Sequence, residues 1–155
     1  MKGHKKIIEQ LNSLLADELT AVNQYIVHAE MCDNWGYKKL GELIKRRAIG
    51  EMKHAEKIIE RILFLEGTPA VGTINKISIG SDIEKQFRND QVAETSAVKV
   101  YNDSIRLCVS LGDNGTRELL ESILNDEETH LDWLETQLEQ IKQLELKNYL
   151  VEQTD

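Results

Sequence analysis

Two glutamate–histidine pairs with the same spacing are the residues of this chain best suited to chemistry. Glu51 precedes His54 by three positions, and Glu127 precedes His130 by the same interval. Side chains three residues apart point in nearly the same direction on an α-helix. Each pair can therefore present a carboxylate and an imidazole to one cation. Taken singly such a pair is a weak signal, because the surrounding segments are rich in glutamate.

The chain repeats these residues at a fixed distance. A shift of 76 positions places Glu18 and Tyr25 on Glu94 and Tyr101, and it also places the first glutamate–histidine pair on the second. Six candidate ligands thus fall into two equivalent triplets, which are Glu18, Glu51 and His54, and Glu94, Glu127 and His130. A two-fold axis across a helical bundle can bring both triplets to one central site.

All four glutamates interrupt apolar stripes of helical period. Glu127, for example, lies between Leu124 and Leu131, which places it on the inward face of its helix. Burying an ionised carboxylate without a partner is very costly, and the sequence offers no inward lysine as a partner. Carboxylates combined with a few imidazoles suit iron or manganese, whereas structural zinc favours cysteine and calcium favours oxygen alone. The six residues together therefore predict a site for two divalent ions.

Four long segments of helical periodicity have to position these ligands. We expect helices at about residues 5–35, 39–66, 82–111 and 116–144, and a short fifth helix at about 146–152. The inward stripe of the first helix is predicted to include Val22 and Ile26. Gly67 and Pro69 should end the second helix, and Ser81 is the expected N-cap of the third.

The connections between these helices predict the topology. The first and second helices are joined by a few residues, as are the third and fourth, so each pair should be antiparallel. The middle connection, residues 67–81, spans roughly 50 Å when extended, which exceeds the roughly 42 Å of a 28-residue helix. It can therefore traverse the bundle and leave the second and third helices parallel. We predict an all-α four-helix bundle with one long crossover, forming a single domain over residues 1–155.

Composition and charge exclude several other classes of protein. The formal net charge is −8, and no run of lysine or arginine suggests a nucleic-acid surface. No apolar run approaches the roughly 20 residues that span a bilayer, and the first residues lack the features of a secretory signal. Cys32 and Cys108 form no CxxC pair and are expected to be buried free thiols. We therefore expect a cytoplasmic protein.

The chain resembles the bacterioferritins over nearly its whole length. The matching stretches are MKG, ELTAVNQY with Glu18, EMKHAEKIIERILFLEG with Glu51 and His54, DEETHLDWLETQLE with Glu127 and His130, and KNYL. The EMKHA segment is the most specific of them. The resemblance implies a ferritin-like bundle. Its known ligand pattern of single glutamates and Glu-x-x-His pairs is the one described above, so the match is to an established pattern.

The resemblance also implies a function. Each subunit would be a ferroxidase that oxidises two Fe(II) ions with dioxygen or peroxide at a di-iron centre. Glu51 and Glu127 would bridge the ions, while Glu18 with His54 and Glu94 with His130 would hold the outer positions. Dimers would assemble into a hollow shell of 24 subunits that stores Fe(III) as a mineral and detoxifies iron. A ferredoxin-type electron donor would serve iron release.

Two further residues acquire roles through the resemblance. Met52 lies about 100° of helix rotation from Glu51 and would face another subunit. In the family, two such methionines ligate one haem b at the dimer axis, and Leu19, Asn23 and Ile49 could line the pocket. Without that context, Met52 would simply fill a gap in an interface. Tyr25 could donate an electron during oxygen chemistry, although a core tyrosine with one hydrogen bond is equally plausible.

The chain departs from the family at an accessory iron site on the inner shell surface. Arg46 and Gly50 occupy the positions of its histidine and aspartate, and Arg47 adds positive charge nearby. We therefore predict that this accessory site is missing.

Two alternatives to iron storage stay open at this stage. One is a soluble di-iron oxidase or peroxidase that stores no mineral, although the absence of CxxC counts against a rubrerythrin-like protein. The other is a structural bundle whose glutamates pair with lysines, which would take up no iron.

Overall fold

The computed structural model describes all 155 residues, which form five helices and no strands. The helices are α1 (Lys5–Asn34), α2 (Lys38–Phe64), α3 (Ile83–Ser110), α4 (Asn114–Leu144) and α5 (Leu146–Val151). The predicted all-α class is confirmed, and the helix ends differ from the expected positions by at most two residues. None of the five helices is both long and apolar enough to cross a lipid bilayer.

Local capping explains one shifted helix start. Asp82, and not Ser81 as predicted, is the N-cap of α3, and its carboxylate accepts a hydrogen bond of 2.9 Å from the backbone N–H of Lys85. Aspartate and serine are comparably good N-caps, so the sequence alone did not distinguish the two neighbours. Gly36 and Gly112 follow α1 and α3 with φ of 87° and 72°, a backbone region that favours glycine.

The long connection between α2 and α3 runs along the outside of α1. In chain order, its residues Thr68, Asn75, Ser78 and Gly80 form hydrogen bonds with Asn12, Thr20, Gln24 and His28 of α1. Residue numbers increase in the same direction along the connection and along its partners on α1. The connection therefore runs parallel to α1 and ends beside the C-terminal end of that helix. The helices α2 and α3 therefore begin at the same end of the bundle and run parallel, which confirms the predicted long crossover.

Two apolar clusters fill the bundle, one on each side of its middle. One cluster contains Leu15, Ile58 and Ile123, and the other contains Phe87 and Tyr149. Each helix contributes a stripe of buried residues to these clusters, as amphipathic periodicity requires.

The predicted stripe of α1 needs one correction. Ile26 was expected to face inward, but 47 % of it is exposed. It follows Tyr25, which is 1 % exposed, and successive residues are rotated by about 100° on a helix. The buried stripe therefore passes through Tyr25 and leaves Ile26 exposed. Val22, the other residue predicted to face inward, is half-buried.

A buried polar network fastens the crossover to α1 and α3. His28 Nδ1 lies 3.0 Å from Asp90 Oδ1, and the backbone N–H of Gly80 donates to His28 Nε2 over 3.0 Å. Gln24 donates to Asp90 over 2.8 Å and accepts from the backbone N–H of Ser78 over 3.0 Å. Because Gly80 donates to Nε2, the proton of the neutral ring lies on Nδ1 and faces Asp90. The network satisfies polar groups that would otherwise be costly to bury.

Both cysteines are buried and unpaired, as the sequence predicted. Burial raises the pKa of Cys32 to about 12 and the pKa of Cys108 to about 11. A raised thiol pKa means that the reactive thiolate is scarce at neutral pH.

We expect neither thiol to react with a thiol-specific disulfide reagent at pH 8 while the protein is folded. Unfolding in guanidinium should release both thiols, since it removes the burial that raises their pKa. The measurement is the absorbance of the released chromophore before and after denaturant is added. Rapid labelling of one thiol per chain in the native protein would contradict this expectation.

Candidate metal centre

Four carboxylates and two imidazoles meet between the two apolar clusters. They are Glu18 of α1, Glu51 and His54 of α2, Glu94 of α3, and Glu127 and His130 of α4. Each of these residues is no more than 8 % exposed. The structure thus brings all six predicted ligands together in the interior.

The six residues form two groups with one shared member. Glu18, Glu51, His54 and Glu127 make the first group, and Glu51, Glu94 and His130 make the second. Within each group, one potential ligand atom from every residue lies within 4.8 Å of all the others. The carboxylate of Glu51 belongs to both groups, which is the position expected of a bridging ligand.

Two tyrosines orient the outer carboxylates across the bundle. Tyr25 of α1 donates a hydrogen bond to Glu94 Oε1 of α3, and Tyr101 of α3 donates to Glu18 Oε1 of α1. Both rings are 1 % exposed, and burial raises the pKa of both phenols well above their ordinary value. The 76-residue repeat had paired the two tyrosines in sequence, but the sequence analysis gave no role to Tyr101.

Several buried polar atoms at this site have no hydrogen-bond partner. Glu18 Oε2 and Glu94 Oε2 are buried and unpartnered. His130 Nδ1 lies 2.9 Å from Glu94 Oε1, but no well-directed hydrogen bond joins them. A buried unsatisfied polar group costs about 1–3 kcal/mol. Bound divalent cations would satisfy all three atoms, so the residues present fit a two-metal centre.

Burial and mutual repulsion hold protons on part of the cluster. Burial raises the pKa of Glu18 well above its ordinary value, and the charge of Glu51 raises it further. The pKa of Glu127 is raised by burial and by the neighbouring carboxyl group of Glu94. Burial also opposes ionisation of Glu51, but the neighbouring Glu18 and His54 and the positive charge of Arg47 bring its pKa below the ordinary value. The cluster thus holds fewer negative charges than it has carboxyl groups.

His54 is enclosed by carboxylates on both of its nitrogens. Nδ1 lies 3.1 Å from Glu127 Oε1 and 3.2 Å from Glu51 Oε2, and Nε2 lies 2.9 Å from Asp126 Oδ2. Burial works against the charged ring, but the neighbouring carboxylates of Glu127, Glu18 and Glu51 raise the pKa of His54 to about 12. Asp126, which the sequence analysis did not identify, can orient the ring when Nδ1 binds a cation.

A positive side chain enters the cluster from α2. Arg47 Nη2 lies 2.8 Å from Glu51 Oε1 and 3.5 Å from Glu127 Oε2. In the sequence, Arg47 was noted only as positive charge near the accessory positions, and no lysine was expected on the inward face. The available signal was the spacing of four residues between Arg47 and Glu51, which places both on one side of the helix.

The cluster lies between two cavities on opposite sides of the bundle. A cavity of about 190 Å³ adjoins α1, α3 and the crossover, where Asn75 and Lys76 contribute to its lining. A second cavity of about 280 Å³ adjoins α2 and α4, and it is lined in part by Arg47, His130 and Trp133. The rings of His130 and Trp133 stack there with centroids 6.1 Å apart.

Comparison with known proteins places this site in a family. The Ferritin-like domain family model matches residues 8–144. The chain is 40% identical over 149 residues to the bacterioferritin of Brucella melitensis biotype 1, covering 96% of this chain and 92% of that protein. It is 41% identical over 138 residues to that of Rhodobacter capsulatus, covering 89% and 86%. The bacterioferritin of Mycolicibacterium paratuberculosis is 40% identical over 149 residues, covering 96% and 94%.

This chain belongs to the bacterioferritin family. The resemblance inferred from the EMKHA segment is therefore confirmed, and so is the ferritin-like fold. The family membership and the buried ligand cluster together make iron the metal that this bacterioferritin handles.

The positions expected to bind haem lie on the surface of the helical bundle of this bacterioferritin chain. Met52 is 46 % exposed and Ile49 is 42 % exposed, and both are on α2. On α1, Asn23 is exposed and Leu19 is half-buried. Met52 thus faces away from the metal centre, as its rotation from Glu51 requires.

We expect Glu18→Gln to leave the metal-free bundle at least as stable and to remove its stabilisation by a cation. Burial raises the pKa of Glu18 and so opposes its charge, which a neutral amide does not carry, and the amide oxygen can still accept from Tyr101. Thermal unfolding with and without Co²⁺ measures both effects. For the unmodified protein, a ligand at 100 times its Kd adds about 2.7 kcal/mol.

The matched control is Glu30→Gln, on the exposed side of the same helix. It should keep the full increase in melting temperature on addition of Co²⁺. An equal increase in the Glu18 variant would show that Glu18 does not bind the metal.

Proposed function

We propose that this bacterioferritin oxidises Fe(II) at the buried carboxylate–histidine centre and stores the Fe(III) as a mineral inside a hollow multisubunit shell. One observation carries the proposal. A chain about 40% identical to bacterioferritins over most of its length keeps six buried ligand residues in two groups that share Glu51. The shared carboxylate suits a pair of iron ions better than two independent ions.

The ligand assignment follows the two groups. Glu51 is the first bridging ligand, because its carboxylate belongs to both groups. We assign Glu127, which belongs to the first group only, as the second bridge because the 76-residue repeat makes it the equivalent of Glu51. Glu18 with His54 and Glu94 with His130 then hold the outer positions. Carboxylates favour the ferric state of the bound ion, and apolar clusters pack on both sides of the carboxylate layer.

Tyr25 is our candidate for an electron donor during the reduction of the oxidant. Its hydroxyl donates to the outer ligand Glu94, and its ring meets His130 edge-on with centroids 5.5 Å apart. It therefore touches two groups that we assign to the same iron position. A tyrosine that only supports the fold would make the same contacts. A tyrosyl radical detected during Fe(II) oxidation would be the evidence that Tyr25 donates an electron.

Haem binding by Met52 remains a proposal. Its support is the exposed thioether of Met52 beside the exposed side chain of Ile49, on a face where a second subunit can supply an equivalent methionine. Haem b would then be shared between two subunits.

We expect Met52→Leu to abolish a bis-thioether haem spectrum and to leave the oxidation of Fe(II) unchanged. The substitution removes the soft sulfur ligand but keeps the apolar volume. Absorbance of the haem-reconstituted protein is the measurement, and Met31→Leu is the matched control. Retention of the spectrum in the Met52 variant would overturn the ligand assignment.

We expect Glu127→Ala to reduce the rate of Fe(II) oxidation by on the order of 10–100-fold or more, because removing even a supporting group of a metal site has such effects. The measurement is absorbance as Fe(II) is added in steps to metal-free protein. The unmodified chain should show a break at two iron ions per chain. Glu128→Ala, at the adjacent exposed position, should behave like the unmodified chain, and equal rates in both variants would count against the centre.

Assembly size separates storage from a soluble oxidase or peroxidase. A shell of 24 subunits built from dimers elutes at hundreds of kilodaltons, whereas a non-storing oxidase would elute as a dimer. A shell interior is what retains mineral, so elution as a dimer would favour the alternative even if Fe(II) is oxidised. The cytoplasmic location, the ferredoxin-type donor for iron release and the loss of the accessory site at Arg46 and Gly50 stay predictions.

A further inference from the structure

Arg47 and His54 together contact every oxygen of the two glutamates assigned as bridges. Glu51 Oε1 lies 2.8 Å from Arg47 Nη2, and Glu51 Oε2 lies 3.2 Å from His54 Nδ1. Glu127 Oε2 lies 3.5 Å from Arg47 Nη2, and Glu127 Oε1 lies 3.1 Å from His54 Nδ1. The outer carboxylates differ, because neither forms an ion pair with Arg47. Glu18 and Glu94 each keep one oxygen without a hydrogen bond, and Glu18 Oε2 lies 3.5 Å from His54 Nδ1.

This distribution of contacts identifies the atoms for which a metal must compete. An incoming cation meets oxygens of Glu18 and Glu94 that accept no hydrogen bond, but it finds both bridging carboxylates in contact with Arg47. His54 can give up its Nδ1 proton and become a ligand itself. Arg47 cannot, since a guanidinium stays protonated in proteins and has no lone pair to offer.

We propose that Arg47 is a tethered counter-ion of the metal-free centre, which divalent metal has to displace from Glu51 and Glu127. The guanidinium supplies positive charge to the buried carboxylates and so stabilises the metal-free bundle. The same contacts weaken metal binding, because they must be broken before the bridging oxygens can turn to a metal. The inference rests on the proposed metal centre and names a residue that sets its affinity.

The structure provides a place for the displaced side chain. Only 19 % of the Arg47 side chain is exposed, but it borders the cavity of about 280 Å³ between α2 and α4. The guanidinium can therefore withdraw into this cavity without unfolding α2. Its position there would put positive charge on that side of the centre.

Arg46 makes a sharp control possible. It is the preceding residue, carries the same charge and lines the same cavity, but it is exposed and has no ion-pair partner within the chain. Arg46→Gln and Arg47→Gln therefore change the net charge equally. Only the second substitution removes the contacts with Glu51 and Glu127.

The test uses Co²⁺, a divalent probe that does not turn over, and the full-length protein prepared metal-free. Calorimetric titration gives the Kd of Co²⁺, and thermal unfolding without metal gives the stability of the metal-free form. We expect Arg47→Gln to bind Co²⁺ about tenfold more tightly or better, from the usual strength of a charge-assisted hydrogen bond. We also expect it to melt at a lower temperature without metal, while Arg46→Gln changes neither quantity to this extent.

The outcomes separate this inference from the function on which it rests. If the unmodified protein binds no Co²⁺, the proposed metal centre itself fails. If it binds Co²⁺ and Arg47→Gln binds no more tightly than Arg46→Gln, only the role of Arg47 is overturned. Should Arg47→Gln not fold, Arg47→Lys keeps the charge on a side chain of shorter reach. Its Kd should then fall below that of the unmodified protein, and an unchanged Kd would overturn the inference.

Discussion

The burial of four carboxylates at the centre of the bundle is the constraint on which the rest of the structure depends. An uncompensated carboxylate in an apolar interior is so costly that it takes up a proton or acquires a partner. This protein uses both means. Burial raises the pKa of Glu18 and Glu127, and Arg47 supplies charge to Glu51. On the proposed function, metal binding would replace these provisional partners, and the centre would exchange protons, an internal cation and metal.

The fold supplies the stability that such a centre lacks. Apolar clusters lie on both sides of the carboxylate layer, and the crossover is fastened to α1 by hydrogen bonds along much of its length. The parallel arrangement of α2 and α3 also makes the two halves of the chain related by a two-fold axis.

The sequence predicted the helices and the six inward residues because both depend on helical periodicity. That periodicity determines the direction of each side chain around the helix to within a fraction of a turn. It missed groups whose positions depend on side-chain reach. Arg47 has a long flexible side chain, and its spacing from Glu51 allows an inward contact without requiring one. Asp126 is 56 % exposed at its side chain and therefore resembles any surface acid in the sequence. The prediction that Ile26 faces inward was wrong for a different reason. An apolar residue next to a buried one in sequence points about 100° away on a helix and can be exposed.

The pseudo-symmetry of the repeat holds for the tyrosines that contact the outer glutamates and is broken around the histidines. Tyr25 and Tyr101 orient the outer glutamates in equivalent ways. The histidines differ, because His54 Nε2 faces Asp126 while His130 stacks on Trp133. A carboxylate behind a ligating imidazole fixes its orientation and raises its basicity. The position next to His54 should therefore hold metal more tightly than the position next to His130. Two equal sites would fill together, whereas this inequality would give the proposed centre an order of filling and release.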